Sequence, residues 1–171
     1  MTSASEPSTF LKAAIPIAVV LTGINTGTHV GFATMITPGL RRAGIQSSRT
    51  ALTEIWTNAG RVQPSLAVAS VLACGSASFA ARNLGGENGP LVAKSLALGA
   101  AAGVGMLAWT FAMHLKLNDQ LMEAKDKKGQ IVLTSAELDE IAKKWHHRQW
   151  VRTAIVGTTF GAALYAFSLA K

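Results

Sequence analysis

Four apolar blocks, residues 10–36, 62–81, 90–114 and 150–170, dominate the chain. Each is close to the roughly 20 residues that a helix needs to cross the hydrocarbon core of a bilayer. Together they leave little sequence for anything except connections. Charged residues make up only 15% of the chain, against about 25% in soluble proteins, so the polar surface that a globular fold must present to water is missing. The blocks predict an all-α, integral membrane four-helix bundle that forms a single domain over residues 1–171. The first block has no basic region ahead of it and runs past the length of a signal core, so it reads as a retained helix.

The connections carry their own punctuation. Pro38-Gly39 is expected to end the first span, and Gly60 precedes a second span with Pro64 in its first turn. Gly85-Gly86-Glu87-Asn88-Gly89-Pro90 reads as a tight polar turn, which makes the second and third spans a hairpin. Between the first two spans, Ser47-Ser48 can cap a short interfacial helix with Leu52, Ile55 and Trp56 on one side. Thr134 and Glu137 form a capping-box pair, so the fourth helix is expected to start near Ser135, outside the membrane, and run straight into its span.

The formal net charge is +7, but the basic residues lie between the apolar blocks and alternate with acids near Lys125–Lys144. That pattern does not make the continuous basic stripe of a nucleic-acid face. It reads as topology. With four spans, one side holds Lys12, Arg82, Lys94 and Lys171, and the other holds the remaining 12 of the 16 Lys and Arg. The positive-inside rule places the richer side in the cytosol and both termini away from it, in an intracellular membrane such as the endoplasmic reticulum. Cys74 is alone, which excludes an internal disulfide and reads as small-residue packing. Gly23, Gly27 and Gly31, Gly99 and Gly103, and Gly157 and Gly161 have the spacing that lets helices approach closely in lipid, within a bundle or a homo-oligomer.

Polar residues inside the blocks carry the functional signal. Thr22, Asn25, Thr26 and His29 make one stripe on the first span, offset from its glycines. Such groups are costly in hydrocarbon and should face inward, where they mark a functional interior. On the third span, Thr110, His114 and Asn118 share a face, as do Trp145, Gln149 and Arg152 on the fourth helix. If these faces converge, joined by Arg61 and by Trp56, they enclose imidazoles, carboxamides, a guanidinium and an aromatic wall at the basic end of the bundle. No phosphate-binding glycine loop, dinucleotide fingerprint, serine elbow, thiolate zinc pattern or buried carboxylate pair is present, and no metal site is expected. Proton transfer would therefore fall to histidine.

The run Met113-His114-Leu115-Lys116-Leu117-Asn118-Asp119-Gln120-Leu121, followed by Trp145 and, seven residues later, Arg152-Thr153, resembles the anthrone oxygenase family of small four-helix membrane proteins. The first half agrees more loosely, through Gly27 to Pro38-Gly39 and through Trp56, Gly60 and Pro64. Gln149 stands where some relatives carry His or Asn.

The resemblance implies conversion of the central methylene of a polyketide anthrone to the ketone of an anthraquinone. Dioxygen would be the co-substrate, with no cofactor. On that reading His29 or His114 is the base, and Arg152 stabilises the anthrolate oxygen. Asn25 and Asn118 are hydrogen-bond partners, Trp145 is a stacking wall, and Trp56, Arg61 and Gln149 complete the substrate site. Two other classes remain open on the residues: a non-enzymatic membrane scaffold, and a haem-binding bundle ligated by His29 and His114.

Overall fold

The structure, a computed structural model, describes residues 9–42, 49–84, 87–117, 120 and 134–170. The side chains of Leu40, Arg41, residues 49–54, Trp56, His114, Ser135 and Leu138 lie outside the description. Every regular element is helical: α1 (Thr9–Gly31), a π-helical segment (Phe32–Ile36), α2 (Thr37–Arg42), α3 (Arg49–Ala81), α4 (Gly89–Trp109), a second π-helical segment (Thr110–His114) and α5 (Ser135–Leu169).

The long helices α1, α3, α4 and α5 stand in a ring, each packed on the next, with α5 closing back on α1. Paired levels such as Gly23 with Phe160 and Thr26 with Val156 show that α1 and α5 are antiparallel. Three helical stretches, Thr9–Gly39, Thr57–Ala81 and Gly89–Leu117, are long and apolar enough to cross a membrane. The expected fourth span, 150–170, is not among them, because Arg152, Thr153, Thr158 and Thr159 dilute its apolar residues. It is nevertheless a full member of the bundle.

Local chemistry explains most of the boundaries. Thr134 caps α5 as expected: its hydroxyl accepts from the Glu137 N–H at 3.3 Å, and its own N–H donates to the Glu137 carboxylate at 2.9 Å. Pro90 starts α4 where a missing N–H costs nothing. Gly89 is obligatory, since a Cβ there would sit 2.2 Å from the Leu84 carbonyl oxygen.

Two boundaries differ from expectation. Pro38 does not end the first helix. It has no N–H for the Thr34 carbonyl and its ring crowds that oxygen, and the chain absorbs both by widening the preceding turn into a π-helical one. There the N–H and hydroxyl of Thr37 both go to Phe32 O, the hydroxyl at 2.9 Å. The helix expected on the membrane surface near residues 49–56 is likewise continuous with the second span, with Pro64 inside α3.

At the end of the bundle that carries the α3–α4 turn, the core is apolar and small-grained: Ile15, Ala18, Cys74, Ala77, Leu96 and Ala163 are fully or almost fully buried. Close packing there relies on Gly99 and Gly103. A methyl group on Gly103 would meet Val71 Cγ2 at 2.6 Å, and one on Gly99 would meet the Thr159 carbonyl oxygen at 3.3 Å. Within the bundle, the packing role expected for the other glycines holds at Gly23, against Phe160, while at Gly27, Gly31, Gly157 and Gly161 an added Cβ meets nothing within 4 Å among the described residues. They lie off the inward stripes of their helices. Outward faces instead carry large apolar side chains such as Ile17, Leu72, Leu98 and Phe111, which suits contact with lipid.

Candidate functional site

Along α1 the inward stripe changes character. Leu11, Ala14, Ile15 and Ala18 give way, at the same helical spacing, to Thr22, Asn25 and His29, all of them buried. A helix that buried these groups against an apolar neighbour would lose their hydrogen bonds, so the facing helix must supply partners. For His29 it does, through the polar stripe of α5, while the Thr22 hydroxyl turns back to the Ala18 carbonyl at 2.7 Å. The Gln149 Nε2 lies 2.9 Å from His29 Nδ1, and the Thr153 hydroxyl donates to the His29 carbonyl oxygen at 3.3 Å and to Gln149 O at 2.9 Å. One turn away, the Thr26 hydroxyl donates to Val156 O at 3.0 Å.

Arg152 extends this network across the bundle. The residue as a whole is only 6% exposed. It donates to the Gln149 side-chain oxygen at 3.4 Å and, on the opposite corner of the ring, to Gln63 Oε1 of α3 at 3.2 Å. Among the described residues its partners are therefore two neutral carboxamides and no carboxylate. The Arg152 Nε and the Asn25 Oδ1 are both buried and meet no hydrogen-bond partner among the described residues. Among the described residues this leaves a guanidinium donor and a carboxamide acceptor unused beside the network.

Gln63 connects this interior to the surface. It forms part of an open groove of about 470 Å³ between the end of α1, its π-helical segment and the start of α3. Phe32, Ile36, Ile55, Ala59 and Val62 make most of the lining apolar, while Thr28 and Asn58 add polar groups near Gln63. The volume falls in the roughly 300–1,000 Å³ range of small-molecule sites, and a mostly apolar wall with a few polar groups is their usual composition. Trp145 backs this wall. It is buried and packs edge-on against Phe32, with ring centroids 6.3 Å apart.

A second, more polar cavity of about 390 Å³ opens beside Pro38, Arg42, Asp139 and His146, near the same end. His146 Nε2 accepts from the Trp150 indole N–H at 3.3 Å. Arg148 donates to Met113 O in the second π-helical segment and so ties α5 to the turn that carries His114.

The expected site residues divide as follows. Asn25, His29, Trp145, Gln149 and Arg152 are all buried in the bundle, and His29, Gln149 and Arg152 are joined by hydrogen bonds. Arg61 is exposed, and none of the bonds that Arg152 makes reaches it. His114 has its backbone in the second π-helical segment, but its side chain, that of Trp56 and all of Asn118 lie outside the described residues.

Gln63 was missed in the sequence, although a signal for it exists. The buried positions of α3 run Ala67, Ser70, Cys74, Ala77 and Ala81, and one more step of the helical repeat towards the N-terminus lands on Gln63. Phe32 was missed although it continues the α1 stripe three residues beyond His29, at the last position before the π-helical turn widens.

No curated protein and no solved structure matches the chain. A family model does, that of anthrone oxygenase, over residues 53–163. That stretch holds α3, α4, and Trp145, Gln149 and Arg152 of α5, whereas α1 and His29 precede it. Since the match spans well over half of the chain, the protein belongs to the anthrone oxygenase family.

Proposed function

We propose that the protein oxidises the central methylene of a fused-ring polyketide anthrone to a ketone with dioxygen, giving an anthraquinone and water. The observation that carries this reading is the buried Arg152 guanidinium, held by carboxamides alone among the described residues and linked through Gln63 to an apolar groove. A positive charge in hydrocarbon is costly, and sites that retain one tend to meet an anion during function. The anion formed from an anthrone is an enolate whose negative charge rests largely on the carbonyl oxygen.

The chemistry needs few groups. An imidazole of His29 or His114 takes a proton from the methylene, which two aromatic rings and the para-related carbonyl make acidic. Arg152 stabilises the oxygen on which the charge collects, an interaction that strengthens as the reaction proceeds and is therefore catalytic. The electron-rich enolate passes an electron to dioxygen, and the two radicals join to form a carbon–oxygen bond. The hydroperoxide then loses its remaining methylene proton as the O–O bond breaks, leaving the ketone and releasing water.

Asn25 and Asn118 are assigned to hydrogen bonding and Trp145 to the aromatic wall behind Phe32. Trp56, Gln149 and Arg61 belong to the substrate site, Arg61 at its exposed rim. The open side of the groove suits a greasy, flat substrate that arrives through the membrane.

Purified protein in detergent should take up dioxygen when an anthrone is added, with one anthraquinone formed per dioxygen consumed. Replacing both His29 and His114 with Ala should bring this rate down to the air-oxidation blank. Uptake by the natural protein no faster than that blank would overturn the reading.

A further inference from the structure

Arg152, Gln149 and His29 form a chain in which each member fixes the next. Arginine has donors and no acceptor, so the Gln149 side-chain atom facing it must be the oxygen. The amide nitrogen of Gln149 then faces His29, 2.9 Å from Nδ1. That nitrogen is a donor, so Nδ1 must accept, with its lone pair directed at the amide. An imidazole whose Nδ1 accepts carries its proton on Nε2. A doubly protonated ring is excluded in this arrangement, because Nδ1–H would then oppose the amide N–H. Turning the amide round to relieve that conflict would aim its NH₂ at the guanidinium.

We infer that Gln149 is a positioning residue that locks His29 in the Nε2–H tautomer, so that His29 offers a substrate a hydrogen-bond donor and its basic nitrogen is held by the amide. The catalytic meaning of the lock rests on the oxygenase reading above. On that reading His29 joins Arg152 in polarising the anthrone carbonyl, and the proton is removed by the other candidate, His114. Thr153 supports the arrangement from behind, since its hydroxyl bridges the backbone oxygens of His29 and Gln149 and keeps the two residues at one level. The lock also accounts for a carboxamide at position 149: a carboxylate there would only accept and would draw the imidazole proton to Nδ1.

The tautomer is read directly by nitrogen NMR of the full-length protein with ¹⁵N-labelled histidine, the His29 signals being those lost in His29→Gln. The natural protein should show a protonated Nε2 and an unprotonated Nδ1 at neutral pH. Gln149→Glu should move the proton to Nδ1 and lower anthrone turnover by about 10- to 100-fold, the range for losing a partner that orients a functional histidine, with KM little changed. A proton on Nδ1 in the natural protein would overturn the lock, as would an unchanged tautomer in Gln149→Glu. Should that variant fail to fold, the spectrum of the natural protein decides alone. Because the spectrum needs no substrate, a chain that shows the expected tautomer but does not oxidise anthrones would sink the oxygenase reading and leave the lock standing.

Discussion

The two ends of the bundle are built on opposite principles. Near the α3–α4 turn, alanines, a cysteine and two glycines let four helices close on one another, and the buried Ser78 hydroxyl among them is answered locally by the Ala93 carbonyl at 2.8 Å. Near the other end, the same helices bury Asn25, His29, Gln149, Arg152 and Thr153, and the first and third spans each contain a π-helical segment. Close-packed small residues have one good arrangement and hold it. Buried polar groups cost stability unless each finds a partner, and such widened turns occur often at functional sites. The lesson is a division of labour along the helix axis: one end keeps the helices together, and the other spends part of that stability on a charged interior.

The sharpest way to break the contrast is to remove the charge. Arg152→Met should cut anthrone turnover by about 100-fold or more, the scale expected when a preorganised oxyanion partner is lost. Its thermal unfolding temperature should hold or rise, since a buried charge gives way to an apolar side chain of similar length. A matching fall in stability would show that the guanidinium is structural.

The converse experiment targets the tight end. Leu96, fully buried, should on replacement by Ala cost about 2–5 kcal/mol in unfolding free energy, with turnover per folded molecule preserved. A smaller test separates two kinds of glycine. Gly103→Ala forces Val71 to move and should destabilise by about 1–3 kcal/mol. Gly27→Ala, with no described atom within 4 Å of the added carbon, should leave the unfolding temperature unchanged.

Most of this contrast was legible in the sequence, because both ends write themselves in the same helical repeat. The stripe Thr22, Asn25, His29 was expected to face inward, and it does. The capping box at Thr134 and the long run of α5 also follow from local chemistry. What the repeat could not reveal is where it slips. The π-helical segments at Phe32–Ile36 and Thr110–His114 each insert extra residue into a turn, so faces counted from an ideal helix go astray beyond them. On α3 the register of Ala67, Ser70 and Cys74 points at the Gln63 amide, whereas Arg61 lies off that stripe and is exposed. The reach of Arg152 to Gln63, between helices that are not neighbours in the ring, is a tertiary fact that no spacing encodes.

The smallest expected effect lies outside both ends, at the start of α5. The Thr134 hydroxyl and then its backbone N–H hold the Glu137 carboxyl below its ordinary value of 4.5. A carboxyl lowered in the folded state stabilises the helix start above that ordinary value and loses the contribution as the pH falls through the lowered one. Amide exchange at the first turn of α5 should therefore quicken relative to the rest of the helix on acidification below about pH 4. The extra acceleration should shrink in Thr134→Val, which removes the hydroxyl and keeps the backbone N–H.

Arg152 also bears on how the chain enters a bilayer. A guanidinium within a membrane helix raises the cost of insertion, and among the described residues α5 is the long helix that does not reach the hydropathy of a span on its own. Among the described residues its Arg152 finds hydrogen-bond partners on α3 and on α5 itself, and its Gln149 on α1. Of the four bundle helices α5 comes last in the sequence, and it needs the earlier ones as its solvent. On these contacts α5 is expected to enter the bundle only once α1 and α3 are in place to receive its polar side chains.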